Sequence, residues 1–255
     1  MTGTISLDRV SKFYGDGGDG LRVFEDLSFT VEENEFVVIV GPSGCGKTTL
    51  LKIIAGVVEA SEGTVRVGDS PIDGPTADTA LVFQDFQLLP WKSVLENVAL
   101  GLKVQENMDK GPRREIAREW LRKVGLDDFA ESQPAELSGG MKQRVGLARA
   151  LAVDPRILLM DEPFGSLDAQ SRDALQSELL ELWADQRKTI LFVTHDIDEA
   201  IYLADRILVM STKPSTILGD VAVDIDRPRW NRRLEIEQSD EFARIKGFLR
   251  EKLGL

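Results

Sequence analysis

The chain has 255 residues, one cysteine and a formal net charge of −12. That length accommodates a full hydrophobic core in one α/β domain, with or without a subdomain, and the acidity argues against a general nucleic-acid binder, which needs a basic stripe. A lone Cys45 excludes an intrachain disulfide, fits a reducing cytosol and weakens any zinc-site reading. No apolar run reaches the length of a membrane span, and Met1-Thr2-Gly3-Thr4 lacks the basic-then-apolar pattern of a leader. The chain is therefore expected to be soluble and cytosolic, meeting a membrane only through a partner.

Residues 4–10 and about 21–31 alternate apolar and polar side chains, through Ile5, Leu7 and Val10 and then Val23, Leu27, Phe29 and Val31. That is the pattern of half-buried strands, here joined by the glycine/aspartate turn at 15–20. Phe36–Val40 is a continuous apolar run that reads as a buried strand, and it leads into Gly41-Pro42-Ser43-Gly44-Cys45-Gly46-Lys47-Thr48. A helix is expected from near Lys47, which gives this GxxxxGK[ST] match the strand–loop–helix context of a phosphate site. Glycines let the loop turn several backbone N–H groups inward, and the helix N-terminus adds partial positive charge. Lys47 can then reach the β- and γ-phosphates while the Thr48 hydroxyl ligates Mg²⁺. The predicted triphosphate-binding segment is Gly41 through Thr49, that is Gly41, Pro42, Ser43, Gly44, Cys45, Gly46, Lys47, Thr48 and Thr49.

Leu50 to Val58 is expected to continue the helix, and Gly63–Val67 and Ala80–Phe83 read as short strands. Between about 93 and 153 the pattern is helical, with Pro112, Gly125 and Pro134 as punctuation. Strand-like runs return at Ile157–Met160, Ile190–Val193 and Ile207–Met210, alternating with helical stretches at 169–186 and 197–204. Such alternation predicts a parallel sheet with crossover helices, the helical middle being inserted on it as a subdomain. Near the end, Phe242, Ile245, Phe248, Leu249 and Leu253 recur at helical spacing, which reads as a packing face.

Three further segments carry chemistry. The apolar run Ile157–Met160 ends in Asp161 and Glu162, and ligands of open α/β sheets sit beyond the strands' C-terminal ends. Successive strand side chains point to opposite faces, so the two acids take different duties: Asp161 suits Mg²⁺, and Glu162 suits polarising the water that attacks the γ-phosphate. The only histidine, His195, follows the third apolar strand and so faces the same edge, placed to meet the γ-phosphate or the attacking water. Leu137-Ser138-Gly139-Gly140-Met141 opens a helical run and reads locally as an ordinary N-cap with a glycine-containing turn; beside the other motifs it reads as a second anion-binding terminus. Cys45 reads first as a small residue whose backbone does the work, and second, just before a helix N-terminus, as a thiol that favours the thiolate.

These motifs, in this order, resemble the ATP-binding subunits of ABC transporters, and the resemblance covers residues 5 to 225. It implies a P-loop NTPase core: an α/β fold with a parallel sheet, an antiparallel β subdomain and an inserted helical subdomain. The ATPase domain would be 1–226 with helices inserted at about 90–153, followed by a short helical extension at 227–255. It also implies ATP and Mg²⁺ as cofactors and a head-to-tail homodimer that sandwiches two ATP molecules between the loop of one chain and the signature of the other. By position, Tyr14 would stack on adenine, and Gln84 would contact Mg²⁺ and sense the transport partner. Ser138, Gly139, Gly140 and Met141 would meet the nucleotide of the opposite chain, and Asp168 would communicate across the dimer. Met141 stands where the family usually has glutamine. That methionine, Arg227-Pro228-Arg229 and the closing helix are similar to the branch serving nitrate, sulfonate, taurine and bicarbonate importers.

The implied partners are integral membrane permease subunits and, indirectly, an extracytoplasmic solute-binding protein, with the chain peripheral on the cytoplasmic face of the inner membrane and no nucleic acid involved. Leu88-Leu89-Pro90-Trp91 would border the groove that receives the permease, or else belong to the core. Other readings fare less well. A GTPase needs a guanine clamp, and Thr212-Lys213-Pro214-Ser215 lacks its aspartate. A chromosome-maintenance ATPase would place long coiled coils between loop and signature, whereas about ninety residues without sustained heptads intervene here. A soluble non-transport ABC protein, which usually carries two cassettes, and an exporter cassette remain the alternatives.

Overall fold

Alternating burial along the first two strands folds the N-terminal part into an antiparallel sheet. The computed structural model describes residues 3–15, 20–84, 87–105 and 109–255, so the expected turn at 15–20 lies largely outside the described residues, as do Met1 and Thr2. Strands β1 (Ile5–Tyr14) and β2 (Leu21–Val31) pair with Ile5 opposite Val31. After β3 (Phe36–Val40) and α1 (Lys47–Ile54), strand β4 (Glu62–Val67) joins the other edge of β1, and β5 (Ser70–Pro71) pairs with β4. The helix α1 stops four residues before the expected Val58. Gly56 takes φ +70°, and a Cβ there would lie 2.1 Å from the Gly74 carbonyl oxygen, so only glycine closes this turn.

The second sheet holds the apolar strands. Its order is β10-β9-β3-β8-β7-β6, with β6 (Thr79–Val82), β7 (Ile157–Asp161), β8 (Thr189–Thr194) and β9 (Arg206–Met210) parallel to β3, and β10 (Ile217–Ala222) antiparallel at the edge. Every residue of β3, β7 and β8 is buried, as continuous apolar runs in a two-sided sheet must be. The register aligns Val40 with Thr194 and Val193 with Asp161. The loop after β3, the acids at the end of β7 and the histidine after β8 therefore emerge along one edge.

The strand period of two divides the core into two faces. Val37, Ile39, Leu159, Leu191 and Val193 pack with α1 and the antiparallel sheet. Val38, Val40, Leu158, Met160 and Phe192 pack on the opposite face with the helices. Those helices are α2 (Val94–Gln105), α3 (Lys110–Lys123), α4 (Gly139–Ala152), α5 (Ala169–Gln186), α6 (Ile197–Leu203), α7 (Arg233–Glu237) and α8 (Asp240–Leu253). Pro112 does not interrupt α3, because it occupies the first turn, where the missing N–H has no intrahelical acceptor. Phe242, Ile245 and Leu249 of α8 are buried in the helical face of the core. Among the described residues, no helix is long and apolar enough to cross a membrane.

Candidate functional site

The loop after β3 is shaped by two glycines that other residues replace only with strain: Gly44 at φ +78° and Gly46 at φ +111°. Gly46 precedes α1, and the first bond of that helix runs from the Leu50 amide to the Gly46 carbonyl. The amides of Lys47, Thr48 and Thr49 are thus left without an intrahelical acceptor at the positive end of the helix. Lys47 is only 5% exposed, and its Nζ donates to the carbonyls of Gly41 at 2.8 Å and Pro42 at 3.2 Å. The loop therefore concentrates amide donors and one buried ammonium, an arrangement whose complement is a polyphosphate.

The ends of β7 and β8 complete the edge. The Thr48 hydroxyl donates to Asp161 Oδ1 at 2.9 Å, and burial pushes the Asp161 carboxyl above its ordinary range. Glu162, with φ +44°, leaves strand geometry at the residue after Asp161. Its carboxylate faces two groups, Lys47 Nζ at 3.7 Å and His195 Nδ1 at 2.9 Å. The His195 side chain is 58% exposed, so the ring is accessible from outside. Gln84 lies close by: a Cβ on Gly165 would sit 3.5 Å from Gln84 Nε2 and 3.4 Å from the Glu162 carbonyl.

Thr48 and Asp161 offer one neutral and one anionic oxygen side by side, which fits a hard divalent cation. Among the described residues no cluster of three acidic, histidine or cysteine side chains forms a full protein cage.

The remaining residues fall elsewhere. Ser138 caps α4, its Oγ accepting from the Met141 amide at 3.3 Å. Gly139 and Gly140 abut Leu167 and Leu175, which brings this turn beside Asp168 on the helical face of the sheet. Asp168 caps α5 by accepting from the Ser171 amide at 3.0 Å, and those amides hold its carboxyl below the usual range. The Met141 side chain packs against the helical core, so this position contributes apolar contact where the family's glutamine is polar. Tyr14 ends β1 as a half-exposed ring with Lys12 Nζ 4.8 Å from its centroid. Trp91 is 73% exposed while Leu88 packs on the core, and the fully buried Asn97 holds this segment through bonds to Leu89, Lys92 and Ser93.

The expected thiolate of Cys45 is corrected by the structure. Cys45 is buried, and burial pushes its thiol up from the ordinary value, outweighing the nearby Lys47 ammonium and loop amides. Ser215 was invisible to motif reasoning except as part of a failed guanine clamp. It is fully buried and its Oγ donates to the Cys45 carbonyl at 2.5 Å, bracing the phosphate loop from the turn before β10.

The family model described as "ABC transporter" matches residues 24–165. The bicarbonate transport ATP-binding protein of Synechococcus elongatus is 45% identical over 232 residues, covering 90% of this chain and 84% of that protein. The aliphatic sulfonates import ATP-binding protein of Bacillus cereus is 45% identical over 226 residues, covering 89% and 88%. Among solved structures, a dimer of the ATP-binding cassette MJ0796 in a post-hydrolysis state with ADP and phosphate aligns at TM-score 0.76 and 33% identity, covering 87% of this chain and all of that one.

Proposed function

The chain belongs to the ABC transporter ATP-binding family and is an ABC-type ATPase, and we propose that it powers import of a small anion through a membrane permease. Bicarbonate, nitrate and sulfonates such as taurine are the candidate substrates, from the relatives' names and the resemblance to that branch. In this reading residues 1–226 form the ATPase unit with helices inserted at about 90–153, and 227–255 form a short extension. The chain is peripheral at the cytoplasmic face of the membrane, with Gln84 and Trp91 toward the permease and a solute-binding protein acting on the far side.

One observation carries the mechanism. The apolar residues of α1, which Lys47 opens, pack on one face of the central sheet, while those of α4, which Ser138 caps, pack on the other. A single chain thus supplies two half-sites that face different ways, and a second copy turned head to tail supplies the complement. Tyr14 then stacks on the base, while Gly41–Thr49 grip the phosphates. Thr48, Asp161 and Gln84 would hold Mg²⁺, which would supply positive charge beside the transferred phosphoryl group. Glu162 takes the proton of the attacking water, and His195 orients it. Ser138, Gly139 and Gly140 of the opposite chain close over the γ-phosphate, and Asp168 links the two sites.

Differential affinity drives the closing. Moving a two-state equilibrium from mostly open to mostly closed takes about 5.5 kcal/mol. Charge-assisted hydrogen bonds of about 1.5–3 kcal/mol each, made across two nucleotides, are sufficient. Loss of the bridging phosphate on hydrolysis reopens the pair.

Affinity purification of the chain with the products of neighbouring genes tests the transport reading. A co-purifying integral membrane permease is expected, and vesicles carrying the assembly should accumulate bicarbonate, nitrate or a sulfonate only with ATP. A ribosome in place of a permease, or efflux in place of uptake, would overturn it.

A further inference from the structure

The segment after β10 reaches back into the molecule at a point the phosphate chemistry leaves unused. Gln176, on α5, is fully buried and both ends of its amide are engaged. Its Nε2 donates to Glu199 Oε1 at 2.7 Å, and its Oε1 accepts from Arg233 Nη1 at 2.6 Å. Glu199, on α6, is 5% exposed, so its carboxylate depends on such partners. The hydroxyl of Thr194, the residue before His195, also favours its ionised form. Thr194 Oγ1 also accepts from the Asp196 amide at 3.0 Å. Glu199 and Thr194 therefore bracket the turn that carries His195. At the outer end Arg233 is held by Asp173 at 3.2 Å, by Glu237 at 3.0 Å and over the Tyr202 ring at 4.4 Å.

We propose that Arg233 is a positioning residue for His195, acting through Gln176 and Glu199. A buried polar chain whose members are all satisfied holds one geometry. Removing Arg233 leaves the Gln176 carbonyl oxygen without its donor, frees the amide to turn, and takes from Glu199 the bond that orients it toward Thr194. The segment beyond the ATPase unit thereby sets the angle of a group at the phosphate edge. The inference rests on the reading of His195 as part of the catalytic site.

His195 is the only histidine of the chain, so its ring gives one set of signals in proton–carbon correlation spectra of histidine-labelled protein. Arg233→Ala is expected to shift these signals in the nucleotide-free protein. It should also lower kcat for ATP by about threefold to tenfold, the range for coupling through packed side chains, with KM unchanged. Arg233→Lys should restore part of both effects, and Arg244→Ala, which removes a surface pair with Glu241, should change neither. Ring signals that coincide with the wild type, or an unchanged kcat, overturn the proposal. Should Arg233→Ala fail to fold, Arg233→Gln is read by the same two measurements. Failure of the catalytic reading of His195 is distinguishable, because it would appear as undiminished kcat in His195→Ala.

Discussion

The Thr48 hydroxyl and the Asp161 carboxylate meet at 2.9 Å across 113 residues of chain. The pair joins the first turn of the phosphate-loop helix to the end of a strand two places away in the sheet. Each residue supplies an oxygen that neither would present usefully alone. Thr48→Val keeps the shape and removes the hydroxyl. The variant should bind Mg-ATP about tenfold more weakly, the loss of one charge-assisted contact worth about 1.5 kcal/mol, while metal-free ATP binding stays near normal. Calorimetric titrations with and without Mg²⁺ check this, and equal losses in both would remove Thr48 from the metal site.

Among the described residues, Glu162 is the one carboxylate within 4 Å of both Lys47 and His195. Glu162→Gln should slow hydrolysis by roughly 10²–10⁴-fold, the usual range for a general base, with ATP binding intact. Single-turnover kinetics decide the matter, and near-normal turnover would assign the base elsewhere.

Ser138→Arg places a bulky cation in the turn that would grip the opposite chain's nucleotide. Each chain should still bind ATP within about twofold, because Lys47 opens α1, whose apolar residues pack on the other face of the sheet. ATP-dependent dimerisation of Glu162→Gln should disappear when Ser138→Arg is added, as read by size-exclusion chromatography. A dimer that forms regardless would refute the head-to-tail arrangement.

Burial pushes the Glu199 carboxyl above its ordinary range, and the bonds from Thr194 and Gln176 only partly offset this. The folded state thus disfavours the ionised form. Its contribution to stability is complete below the ordinary glutamate value and is lost as pH rises through the raised folded value. Glu199→Gln keeps an acceptor for Gln176 and removes this titration, so the variant's stability relative to wild type should increase as pH rises above the ordinary glutamate value. Urea unfolding across that range gives the curve, and parallel wild-type and variant profiles would contradict it.

Cys45 should react with thiol reagents at least about tenfold more slowly than a free thiol, given its burial and raised pKa. Mg-ATP should slow it further. Cys45→Ala should leave ATP affinity within about twofold, because the loop grips phosphate with backbone amides. Labelling at an equal rate with and without nucleotide would place the cysteine outside the site.

Elements with a strong local signal were legible from sequence. Helix α5 runs over the expected 169–186 because Asp168 caps its start and Arg187, at φ +48°, ends it. The strands of the parallel sheet were readable because burial on both faces demands unbroken apolar runs. Strand β10 was not, since its residues are intermediate or exposed and it is fixed by pairing with β9. Helix α7 has five residues, too few to show a period. At the candidate site, the placement of Asp161, Glu162 and His195 along one edge of the sheet was legible from position alone. Ser215, Thr194 and Gln176 were not, because their importance lies in which distant carbonyl or carboxylate they reach. The fate of Cys45 turned on burial, which helix-end electrostatics could not foretell.

The proposed split of two half-sites between opposite faces of the sheet has a genetic reading. In a head-to-tail pair, a chain with a ruined phosphate loop still lends a sound signature turn to its partner, and the reverse holds for a ruined signature. Two chains disabled in different halves should therefore rescue one site when mixed, whereas two disabled in the same half should rescue none. Inherited damage would be shared between copies according to where it falls along the chain.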